Sequence, residues 1–160
     1  MTTTKGITQS IYYFYRQLGI TNIKVKHSNC FCFAYYDHFD YWIEYTLKET
    51  KEEILLGYQD YFKKHHPDFA QYPCNFFTFS LLHELGHALT VFDANQTYIN
   101  RSMEAKRNLS HKKNMSPRKK QLRYCELYGD RIANEKAIQL IKNNYEIIQK
   151  FEKRFEKLIA

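Results

Sequence analysis

With 160 residues, of which 44% are hydrophobic and 26% charged, the chain is long enough for one domain with its own core and too apolar to be disordered. It contains no run of about 18 apolar residues, which excludes a membrane-spanning helix, and no secretion-signal pattern follows Met1, so a cytoplasmic protein without a membrane partner is expected. The net charge of +7 is a local property: between Arg101 and Arg123 nine Lys and Arg residues stand against the single acid Glu104.

Residues 5–18 place Ile7, Ile11, Phe14, Tyr15 and Leu18 at helical spacing, and Gly19 predicts the stop. Residues 23–27, 30–36 and 41–47 are rich in β-branched and aromatic side chains. With the turn pair Ser28-Asn29, they predict a small antiparallel sheet. Residues 50–65 predict a helix with Ile54, Leu55, Tyr58, Tyr61 and Phe62 on one side. Residues 75–92 predict a strongly apolar helix. The stretch 93–117 is basic, lacks an apolar period and reads as a loop. From Pro117 onward the pattern to Ile159 predicts one long C-terminal helix. Cys30, Cys32, Cys74 and Cys125 are expected to be free, buried thiols, because no secretion signal accompanies them. The expected fold class is α+β: a single domain over residues 1–160, with a small sheet packed on the apolar helix and the C-terminal helix.

The apolar helix carries the run His83-Glu84-Leu85-Gly86-His87. Two histidines four residues apart on a helix point to the same side, which suits two ligands of a tetrahedral zinc ion. Glu84 then projects beside the metal, where it can take a proton from water acidified by the ion. A catalytic zinc needs a third protein ligand and one open position. Glu126 and Asp130 are also four apart, and Gly129, Ala133 and Ala137 continue their face with small residues. Glu126 is therefore expected as the third ligand. Asp130 is expected to accept a hydrogen bond from the other ring nitrogen of a ligand histidine. His111 competes for the ligand role, but Lys112 and Lys113 beside it disfavour a cation. Tyr98, His111, Tyr124 and Tyr128 are open choices for the donor that stabilises an oxyanion.

These two motifs, HELGH and Glu126-x-x-Gly129-Asp130-x-x-Ala133, resemble those of the gluzincin class of zinc metallopeptidases. Within it the chain looks most like the small ImmA/IrrE-type proteins, with Gly129 and Ile132 where that group has alanine and phenylalanine. The resemblance covers residues 76–92 and 122–141. It implies a zincin-like fold and an extended substrate paired with the strand nearest the active-site helix, here 30–36 or 41–47.

The expected function is thus zinc-dependent hydrolysis of a peptide bond in a specific intracellular protein. The alternative is a non-catalytic zinc protein that contacts nucleic acid or an acidic partner through the basic segment 101–123, and the two readings combine in a protease that cleaves a DNA-bound protein. A third reading is a zinc protein without catalysis, in which the metal only staples the fold with a fourth protein ligand such as Cys125.

Overall fold

The computed structural model describes residues 4–37, 40–90 and 96–160. In chain order the elements are α1 (Thr4–Gln17), β1 (Ile23–His27), β2 (Phe33–Asp37), β3 (Asp40–Tyr45), α2 (Glu52–His65), a 3-10 turn (Pro67–Gln71), α3 (Phe76–Thr90), α4 (Gln96–Ser110), α5 (Pro117–Glu126), α6 (Tyr128–Asn143) and α7 (Tyr145–Ile159). The fold is α+β, dominated by helices, with one three-stranded sheet among the described residues. None of the described helices is long and apolar enough to cross a membrane.

The sheet corrects the antiparallel expectation. Its order is β1-β3-β2, with β1 parallel to β3 and β2 antiparallel to β3. The reason lies at Ser28, whose N–H donates to the Tyr45 carbonyl at 2.7 Å. That bond extends the β1–β3 ladder past the end of β1, so the Ser28-Asn29 bend does not fold β2 back onto β1. The parallel register sets Val25 beside Ile43. Both are buried, whereas Lys24 and Lys26 alternate outward.

The N-terminal helix ends as expected. Gly19 has φ +80°, and the N–H groups of Gly19 and Ile20 cap the Arg16 and Tyr15 carbonyls. Phe14 stacks on Phe151 at 4.1 Å, and Phe77 stacks on Phe155 at 4.4 Å. Those two pairs hold α7 against α1 and α3. The Tyr15 hydroxyl donates to the Leu81 carbonyl at 3.0 Å, tying α1 to the middle of α3. Helix α3 begins at a cap: the Asn75 side-chain oxygen accepts from the Thr78 N–H at 2.8 Å.

Two further expectations are corrected. The basic loop 93–117 contains helix α4 over Gln96–Ser110, and residues 93–95 lie outside the described part. No residue of α4 is buried, so there was no apolar stripe to betray it. The long C-terminal helix is three helices. Leu127 has ψ 145° between α5 and α6, and Asn144 interrupts the chain between α6 and α7 with φ −132°. Helix α5 does open at Pro117, behind the Ser116 cap.

All four cysteines are free, but they are not uniformly buried: Cys125 is buried, Cys32 and Cys74 are half-buried and Cys30 is exposed.

Candidate metal centre

Helices α3 and α6 cross at Gly86. A Cβ built on Gly86 would stand 2.6 Å from the Ala133 carbonyl oxygen and 3.1 Å from its Cα. Only a residue without a side chain permits this approach, and Ala133 and Ala137 are fully buried beneath it. Of the small residues that continue the Asp130 face, Ala133 is the one pressed against the HELGH helix. A Cβ on Gly129, by contrast, would meet nothing within 4 Å. Gly86→Ala must therefore push apart two backbones. Overpacking of this kind costs about 1–3 kcal/mol, which for a chain of this size lowers Tm by roughly 3–10 °C in a thermal melt. An unchanged Tm would show that the crossing is looser than described.

The crossing delivers three donor atoms to one place. His83 Nε2 and His87 Nε2 are 3.1 Å apart. Asp130 Oδ1 lies 3.6 Å from the first and 3.7 Å from the second. Donors of a tetrahedral zinc ion, each about 2.0–2.1 Å from the metal, are separated by about 3.3–3.4 Å. The observed triangle straddles that value. The group His83–His87–Asp130 could hold a metal ion. Among the described residues no fourth His, Cys, Asp or Glu joins it. Cys125 in particular stands outside the group: it is buried, which pushes its pKa up to about 12, and its sulfur accepts from Gln121 Nε2 at 3.6 Å.

Asp130, not Glu126, is thus the carboxylate brought to the histidines. Glu126 closes α5 and faces the other way. Its Oε1 is 2.6 Å from Lys64 Nζ and 2.8 Å from His65 Nε2, and its Oε2 is 3.6 Å from Arg123. That cluster fastens α5 to α2. The role expected of Asp130, orienting a ligand histidine, is filled instead by Asn134, which is completely buried. Its Oδ1 is 2.7 Å from His83 Nδ1, and its Nδ2 donates to the Cys125 carbonyl at 3.4 Å. The second bond fixes which way the amide faces. Nδ1 of His83 must then carry the proton, which leaves the Nε2 lone pair aimed at His87 and Asp130.

Electrostatics agree with a cation-binding group. Burial opposes ionisation of Asp130. The imidazoles of His83 and His87 and the charge of Lys106 outweigh it and hold the carboxyl well below the usual carboxylate range. His83 is buried too, which disfavours its charged form, but Asp130 and Glu84 more than compensate and raise its pKa. A metal ion would take the place of the proton that this anionic pocket attracts.

His83 and Glu84 open onto a cleft of about 860 Å³. Its walls are largely apolar, with Phe31, Leu47, Phe76 and Phe155 among them. None of Tyr98, His111, Tyr124 and Tyr128 is among the described residues lining it. Tyr98 packs on Tyr128 with ring centroids 5.3 Å apart, and Tyr124 lies under the Lys106 ammonium at 5.6 Å. The tyrosine in the cleft is Tyr58 of α2, edge-on to the His83 ring. Burial pushes its hydroxyl pKa well above the ordinary value, so it remains a donor at neutral pH. Sequence reading placed Tyr58 on an apolar helix face and passed over its hydroxyl.

The basic segment is partly spent on internal contacts. Arg118 forms a two-pronged pair with Asp60 at 2.6 and 2.7 Å, Arg123 faces Glu126, and Lys106 faces Asp130. No protein-family model, curated protein or solved structure matches the chain.

Proposed function

We propose that the chain is a zinc-dependent metallopeptidase of the HExxH type, with Asp130 as the carboxylate ligand, acting on a specific protein substrate. The observation that carries this reading is the triangle of His83 Nε2, His87 Nε2 and Asp130 Oδ1, with sides of 3.1, 3.6 and 3.7 Å. Of the three, His83 lines a cleft that Glu84 also lines. Zinc is favoured over calcium or magnesium because two of the three donors are imidazole nitrogens, and those ions prefer oxygen.

A zinc ion held by this group would supply Lewis acidity to a carbonyl and to a nearby water. The remaining work falls to side chains. Glu84, adjacent to His83 in sequence and facing the same cleft, accepts the proton of the attacking water and returns it to the leaving amine. Tyr58 donates a hydrogen bond to the oxygen that gains charge as the carbonyl becomes tetrahedral. Asn134 keeps His83 in the required tautomer. The apolar cleft walls shed water from the bound peptide. An extended substrate has one strand to join on this side: β3 is paired on both edges, whereas among the described residues β2 pairs with β3 alone, and it packs on α3.

The test is metal removal and return. Chelator-treated, dialysed protein should lose cleavage of its substrate, read by N-terminal labelling of a proteome incubated with it. About one equivalent of zinc should restore cleavage. Cleavage that persists in metal-free protein would defeat the proposal.

A further inference from the structure

Helix α4 has no buried residue, yet one of its side chains reaches into the candidate metal centre. Lys106 Nζ lies 3.4 Å from Asp130 Oδ1, the same oxygen that faces both histidines. The ammonium also sits 5.6 Å from the centre of the Tyr124 ring, so a carboxylate and an aromatic face together hold it. Half of the lysine side chain remains exposed, which leaves it a route out.

We infer that Lys106 is an internal competitor for the metal: its ammonium is the resident cation of Asp130, and an arriving divalent ion must displace it. This rests on reading the His83–His87–Asp130 group as a metal site. The charge arithmetic is simple. Two neutral imidazoles and one carboxylate present a single negative charge to an incoming ion, and the ammonium cancels it. A dication at the centre of the triangle would also stand within a few ångströms of that ammonium, so their repulsion adds to the loss of the Asp130 pair. Displacement has a mechanical consequence, because Lys106 belongs to α4. Helix α4 packs on α5 and α6, and the Lys106–Asp130 pair is one of its ties to α6. Metal entry loosens that tie, so occupancy of the site is coupled to how firmly α4 is held.

The experiment measures zinc affinity by competition with a chromophoric chelator, in the parent protein and in Lys106→Met and Lys106→Arg. Methionine keeps an unbranched stem and removes the charge, and since α4 buries nothing the substitution does not threaten the core. Lys106→Met should bind zinc about 2- to 5-fold more tightly, the range that loss of a half-exposed ion pair allows. Lys106→Arg, which keeps the charge, should stay close to the parent. Equal or weaker binding by Lys106→Met would overturn the inference and make Lys106 a support of the carboxylate instead.

A second readout needs no variant. Acetylation of lysines, followed by peptide mass spectrometry, should show Lys106 becoming more reactive on zinc addition relative to Lys112 and Lys113. Reactivity that is unchanged or falls would overturn the displacement. The two levels of failure are separable. Zinc binding by the parent with no effect of Lys106 sinks this inference alone. No zinc uptake by any of the three proteins sinks the metal reading and this inference with it.

Discussion

Glu84→Gln is expected to lower peptide hydrolysis by about 100- to 10,000-fold while leaving the bound zinc in place, the range associated with loss of a positioned general base. Glutamine has nearly the shape of glutamate, and at 9% exposure Glu84 sits where shape matters to packing. What the amide cannot do is accept a proton. Glu84 is also absent from the group of donors that could hold an ion, so its replacement should not empty the site. The measurement pairs metal content of the purified variant with N-terminal labelling of a proteome exposed to it. Parental cleavage by Glu84→Gln would exclude this mechanism. Loss of zinc would make Glu84 a ligand rather than a base.

The second large effect is expected at Asp130. Asp130→Ala removes one of three donors and should weaken zinc binding by more than about 100-fold, beyond the 10- to 100-fold typical of a residue that only supports a ligand. Asn134→Ala should fall within that smaller range, because it frees His83 to turn and to change tautomer. Glu126→Ala should leave affinity near the parental value, since its carboxylate is held by Lys64, His65 and Arg123 on the α2–α5 seam. Chelator competition on the three variants ranks them. If Glu126→Ala loses zinc and Asp130→Ala keeps it, the assignment is reversed.

The exchange of roles between Glu126 and Asp130 shows where sequence reading stops. Four residues apart, the two share a face only if one helix runs through both. Here the chain breaks at Leu127, leaving Glu126 as the last residue of α5 and Asp130 in the first turn of α6. A single extended residue turned a shared face into two different directions. Asn134 stands one turn beyond Asp130 whether or not the helix is continuous, so its side was legible; its contact with His83 Nδ1, which depends on how α6 meets α3, was not. His83 and His87 were legible because they lie within one uninterrupted helix with its own cap. The small residues Ala133 and Ala137 were legible as a face, though Gly86 as the point that meets Ala133 was not.

The same contrast holds in the fold. Helix α1 and strand β1 announce themselves through the alternation or spacing of buried groups. Helix α4 could not, because nothing on it is buried and its helicity leaves no apolar period. The parallel pairing of β1 with β3 depends on one backbone bond from Ser28, a long-range fact that local turn propensity does not encode.

The crossing of α3 and α6 has a consequence for how such a centre can arise. Both histidines come from one helix, and Asp130 and Asn134 come from the other, with Gly86 against Ala133 at the contact point. Neither the sheet nor α1, α2 or α7 contributes a donor. The centre is therefore modular. Its donors need only this helix pair, and the rest of the chain bears on them through outer contacts such as the Cys125 carbonyl on Asn134 and the Lys106 ammonium on Asp130.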